Sequence, residues 1–136
     1  MFSRDISILL VEDDELDVKM VERAFRRNKI TNPLHRVANG EEALDFLQVQ
    51  NENPGLILLD VNMPRMNGIE FLKIIKLDER YKRIPVIVLT TSREESDRFH
   101  SYDLGAAGFI QKPVEFESFL EVVRVIGLYW SLCEAA

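Results

Sequence analysis

Leu56-Ile57-Leu58-Leu59-Asp60-Val61-Asn62-Met63-Pro64 (residues 56–64) sets four consecutive apolar side chains ahead of a carboxylate, an amide and a proline. Four residues bounded by Gly55 and Asp60 are too few for a helix and read as a strand. No polar residue alternates with the apolar ones, so both faces of that strand are buried, as in a parallel sheet covered by helices on either side. Similar runs recur at 6–11, 34–37, 86–89 and 109–110.

Between the runs lie segments with helical spacing. The first carries Leu16, Met20, Val21, Ala24 and Phe25, the second Ala43, Leu44, Phe46 and Leu47, and the third Ile69, Phe71, Leu72, Ile74 and Ile75. A fourth, about 93–104, is polar, and a fifth, 115 to about 132, is apolar on most sides. Asn39-Gly40 and Asn67-Gly68 mark sharp turns. Strand and helix alternating five times specify a doubly wound five-stranded parallel α/β sheet with helices on both faces, because parallel neighbours need right-handed crossovers. No repeat, low-complexity tract or linker starts a second unit, so residues 1–136 are expected to form a single domain.

Composition narrows the function. The chain has 136 residues, 46% hydrophobic and 29% charged, enough for a full core without staples. A net charge of −6 lacks the basic field that binds nucleic-acid phosphates, so no nucleic-acid partner is expected. Cys133 stands alone, which rules out an intramolecular disulfide or a multi-cysteine metal site and fits a reducing cytoplasm. No apolar run approaches the roughly 20 residues needed to cross a bilayer, so no membrane association is expected.

In a doubly wound sheet, ligands bind beyond the carboxyl ends of the strands, where strand order reverses. Glu12, Asp13 and Asp14 follow the first run; Asp60 ends the third and is followed by Asn62; Thr90, Thr91 and Ser92 end the fourth; Lys112-Pro113 follows the fifth. Carboxylates at about 4 Å repel by roughly 4 kcal/mol per pair at an effective dielectric near 20, so such a cluster needs a cation or protons. Oxygen ligands with incomplete protein coordination suit Mg²⁺. Asp60 is placed to act as a nucleophile toward a phosphoryl group, with Thr90 as a hydroxyl donor and Lys112 as a point positive charge.

The chain resembles the receiver domains of bacterial response regulators, and in particular the small stand-alone ones. The resemblance rests on Val11-Glu12-Asp13, Asp60-Val61-Asn62-Met63-Pro64 with Asn67-Gly68, Leu89-Thr90 and Lys112-Pro113, in the expected order and spacing. It implies a (βα)5 flavodoxin-like fold and a single receiver domain with no output domain. It also implies a switch, not a metabolic enzyme, in which Asp60 accepts a phosphoryl group from a sensor histidine kinase. Mg²⁺, with Mn²⁺ as a substitute, would be held by Asp13, Asp60 and the backbone carbonyl of Asn62, with Glu12 acting through bound water. Thr90 would swing toward the phosphoryl group and Phe109 would follow it inward. Phe109 stands where Tyr is common, so no hydroxyl acts there. The run Arg83-Ile84-Pro85-Val86-Ile87-Val88-Leu89-Thr90-Thr91-Ser92, the stretch Ser101-Tyr102-Asp103-Leu104-Gly105-Ala106 and the final Tyr129-Trp130 resemble phytochrome-associated response regulators.

Other readings stand beside these. Glu12-Asp13-Asp14 alone equally describes a helix cap, and Lys112-Pro113 alone an ordinary turn. His35, His100 and Cys133 lack partners that would make them a site. Phe119, Leu120, Val123, Ile126 and Trp130 form an inward face of the fifth helix, and Val122, Val125 and Tyr129 a second one. That second face suggests a homodimer through the fourth helix, fifth strand and fifth helix, in line with the resemblance. A phosphorelay intermediate or phosphate sink is the alternative wiring. An aspartyl-nucleophile phosphatase is disfavoured, because Asn62 occupies the place where such enzymes carry a second Asp.

Overall fold

The computed structural model describes residues 6–60, 65–90, 105–111 and 116–132. Five strands, β1 (Ile8–Val11), β2 (Leu34–Val37), β3 (Leu56–Asp60), β4 (Val86–Thr90) and β5 (Gly108–Gln111), form one parallel sheet in the order β2-β1-β3-β4-β5. Helices α1 (Glu15–Arg27), α2 (Gly40–Val49), α3 (Gly68–Lys76) and the C-terminal α4 (Phe116–Leu132) complete the described elements. The segment read as a helix at 93–104 lies outside the described residues.

The pleat explains how one short strand serves two cores. Leu9 and Val11 of β1, Ile57 and Leu59 of β3, and Val86 and Val88 of β4 pack under α2 and α3 with Ala43, Leu47, Phe71, Leu72 and Ile75. The alternate residues Ile8, Leu10, Leu56, Leu58, Ile87 and Leu89 pack under α1 and α4 with Val21, Phe25, Phe119 and Val123. Period-two alternation with both faces covered is why β1 and β3 are apolar throughout. β2, at the sheet edge, is only half-buried, so the expectation of burial on both faces fails there.

Boundaries moved by one or two residues. β1 begins at Ile8, not Ile6, and β5 extends to Gly108 and Gln111. β3 and β4 run one residue further than their apolar runs, to Asp60 and Thr90. In α1 the buried residues are Val18, Val21, Ala24 and Phe25, a stripe spaced i, i+3, i+6 and i+7. Leu16, named with the helical spacing of this segment, falls off that stripe and is 78% exposed.

Both Asn-Gly pairs prove to be helix starts. Asn39 and Asn67 have extended backbones, and each side chain accepts the N–H of the residue three further on, Glu42 at 3.0 Å and Glu70 at 2.9 Å. At α3 the Glu70 carboxylate accepts the Asn67 N–H in return, closing a capping box.

Candidate functional site

The strand order reverses between β1 and β3, and the candidate site lies at the carboxyl ends of these two strands. Val11 is the register partner of Leu59, so Glu12 and Asp60 follow at the same level of adjacent strands. Each continues the alternation of the face under α1, Glu12 after Leu10 and Asp60 after Leu58. Glu12 is fully buried and Asp60 is 4% exposed, while Asp13 is exposed. Glu12, Asp13 and Asp60 each offer a carboxylate oxygen within 4.8 Å of the others. At that separation each pair of charges repels by about 3.5 kcal/mol for an effective dielectric near 20. Two buried carboxylates beside an open third, all oxygen donors, fit a hard divalent cation that keeps part of its water shell.

The chain around these acids is braced. The Glu12 N–H donates to the Val37 carbonyl at 3.0 Å, extending the β1–β2 pairing. The Asp14 N–H donates to Oε2 of Glu12 at 3.3 Å. Asp14 itself caps α1, accepting from the N–H groups of Leu16 and Asp17. Helix capping therefore describes Asp14, whereas Glu12 and Asp13 belong to the acidic cluster.

Arg36 braces the same turn, a role that the sequence alone hardly signals. From β2 it donates Nε to the Glu12 carbonyl at 2.9 Å and Nη2 to the Asp13 carbonyl at 3.2 Å, and Nη1 pairs with the Glu15 carboxylate at 2.6 Å. The available signal was a cation inside a short strand run, and its meaning needs the β1–β2 register that sets Arg36 beside Leu10.

On the far side, the Gly40 N–H donates to the Met66 carbonyl at 3.1 Å, tying the start of α2 to the loop after β3. In that loop Arg65 has a left-handed backbone, φ 60°, and lies 3.8 Å from the Glu41 carboxylate.

Thr90 closes β4, and its register partner is Gln111, the last residue of β5. Asp60 pairs with Leu89, so Thr90 stands one residue further along the neighbouring strand. Phe109 is on β5 opposite Val88. Asn62 and Lys112-Pro113, like Thr91, Ser92, His100 and Cys133, lie outside the described residues. His35 is exposed, with its ring tilted against Phe46 at 5.2 Å between centroids.

The family model of the response regulator receiver domain matches residues 8–124. Response regulator Rcp1 of Synechocystis sp. is 38% identical over 128 residues, covering 90% of this chain and 87% of that protein. The probable methanogenesis regulatory protein FilR2 of Methanothrix harundinacea is 36% identical over 127 residues, covering 90% and 82%. Among solved structures, the phosphorylated cyanobacterial phytochrome response regulator RcpA superposes with a TM-score of 0.87 at 36% identity, covering 98% of each chain. The Mn²⁺-bound form of Rcp1 gives 0.83 at 36% identity, covering 96% of each.

Proposed function

The chain belongs to the response regulator receiver family and is a receiver-domain response regulator of two-component signalling; from this premise we propose that it is switched by phosphorylation of Asp60. The observation that carries the proposal is the placement of a buried Asp60 carboxylate within 4.8 Å of Glu12 and Asp13 at the β1/β3 switch point. The donor is a phosphohistidine of a sensor histidine kinase. Similarity to Rcp1 and to the phytochrome response regulator RcpA supports a phytochrome-type kinase.

Glu12, Asp13, Asp60 and the Asn62 backbone carbonyl would hold Mg²⁺, and the similarity to Mn²⁺-bound Rcp1 supports Mn²⁺ as a substitute. When bound, the ion supplies the positive charge that offsets repulsion between Asp60 and the incoming phosphate. An Asp60 carboxylate oxygen forms the new bond to phosphorus as the P–N bond breaks, and the imidazole leaves with that electron pair and takes up a proton. The Thr90 hydroxyl donates to a phosphoryl oxygen and the Lys112 ammonium pairs with another. Burial of Glu12 and Asp60 keeps bulk water from screening these contacts. Hydrolysis later releases phosphate and restores the carboxylate.

The output is a changed surface, with Thr90 and Phe109 linking the site to β4 and β5. In this reading residues 1–136 act as one receiver domain in the cytoplasm, signalling through protein contacts that include a homodimer through segment 93–104, β5 and α4. No helix among the described residues is long and apolar enough to cross a membrane.

The test is incubation with Mg²⁺ and acetyl phosphate, followed by intact mass. Wild-type protein is expected to gain one labile phosphate, and EDTA or Asp60→Asn to abolish the gain. A wild-type mass that stays unmodified would overturn the reading. Phosphotransfer from purified sensor kinases then identifies the input.

A further inference from the structure

The geometry points to Arg36 as a positioning residue for the acidic pocket, an inference that rests on the proposed cation site. Arg36 grips the backbone that carries two of the three clustered carboxylates. Nε and Nη2 hold the successive carbonyls of Glu12 and Asp13, and Nη1 holds Glu15, the first residue of α1. The guanidinium is a planar fork with donor directions that do not rotate independently. It therefore constrains the 12–13 and 13–14 peptide planes together, and with them the directions in which the Glu12 and Asp13 side chains leave the loop. The Glu12 N–H is held by β2 as well, through the Val37 carbonyl, so strand β2 secures this turn by both backbone and side chain.

Two effects of Arg36 on a bound cation have opposite signs. Its positive charge near the pocket disfavours a divalent ion, so deletion of charge alone would tighten binding. Its fork holds the ligands in place, so loss of the fork weakens binding. The ion pair with Glu15 counters part of the Arg36 charge, which leaves positioning as the dominant effect.

Mn²⁺ titration of the full chain, read by the electron paramagnetic resonance signal of free Mn²⁺, separates the two. Wild type, Asp13→Asn, Arg36→Ala and Arg36→Lys are compared at one ionic strength, with denaturant midpoints recorded in metal-free buffer. Arg36→Ala is expected to raise the Mn²⁺ Kd about tenfold, in the range set by partners that orient metal ligands. Arg36→Lys keeps the charge but loses the fork, and should also bind Mn²⁺ more weakly than wild type. Its result carries the test if Arg36→Ala does not fold. At saturating Mg²⁺ the acetyl phosphate phosphorylation rate of the variant should return to within about twofold of wild type, since the defect lies in holding the ion. A Kd unchanged or tightened in a folded Arg36 variant, with Asp13→Asn weakened, overturns the role of Arg36 alone. A wild-type chain that does not bind Mn²⁺ overturns the cation site and this inference with it.

Discussion

Gly40 is a point of close approach between the two loops flanking the site. A Cβ there would lie 2.7 Å from Cγ of Met66, 2.9 Å from its Sδ and 2.9 Å from its carbonyl oxygen. The thioether can swing away, but the carbonyl accepts the Gly40 N–H and sits between the left-handed Arg65 and the Asn67 capping box. Gly40→Ala should therefore lower stability by about 1–3 kcal/mol, as overpacking against backbone does, read as a lower denaturant midpoint. Adding Met66→Ala should not restore it, because the carbonyl clash remains. An unchanged midpoint in the single variant would show that the loop after β3 yields freely. None of this closeness is visible in the dipeptide Asn39-Gly40, which announces only a turn. The acids of the site were legible because type and place coincide: each of Glu12, Asp13 and Asp60 follows an apolar run. Arg36 was hidden because its partners are backbone carbonyls 23 and 24 residues away.

At the scale of elements, the connection from α3 to β4 shows what apolar runs miss. Residues 78–84 contain Asp78, Glu79, Arg80, Lys82 and Arg83 and look like solvated loop. In the fold, the N–H groups of Tyr81 and Lys82 both donate to the Asp78 carbonyl, which turns the chain so that Tyr81 and Ile84 enter the core under α2 and α3. Lys76 ties the end of α3 to the same turn through the Lys82 and Ile84 carbonyls, and burial lowers the pKa of its ammonium. Asp78 is held at the surface by Arg80, whose guanidinium and backbone N–H all donate to its carboxylate. Those hydrogen bonds lower the Asp78 pKa below 3.8. A carboxyl with a depressed folded pKa contributes stability that is present above 3.8 and is lost as pH falls through the folded value. Asp78→Asn should accordingly flatten the acid limb of a stability-versus-pH curve, measured by urea midpoints, with a smaller difference in high salt because the pair is exposed. Parallel acid limbs for variant and wild type would remove Asp78 from the account. β1, β3 and β4 were legible because burial on two faces leaves an unbroken apolar run, whereas two inward side chains such as Tyr81 and Ile84 leave no period.

At the scale of the whole molecule, the two sheet faces are closed differently. α2 and α3 share one core, while α1 and α4 close the other, α4 through the buried Phe119 and Val123 with Phe116, Leu120 and Ile126 packed beside them. α4 is apolar beyond that stripe: Val122 and Val125 line a shallow groove with Ser118, Glu121 and the edge of Ile126, and Val125 is 52% exposed. In a two-fold pair this face would meet its own copy, so any charge introduced there opposes itself. Val125→Glu is the discriminating change. It removes little buried surface, and its like-charge spacing from Glu121 at i, i+4 costs at most about 0.5 kcal/mol. Melting of the monomer should hardly move. If the proposed homodimer uses this helix, light scattering should show wild-type chain pairing, with or without acetyl phosphate, and Val125→Glu at the monomer mass while still accepting phosphate on Asp60. A variant that pairs as wild type does would exclude the α4 face from the contact. A wild type that stays monomeric in both states would exclude the dimer itself and leave this apolar strip to bind another partner.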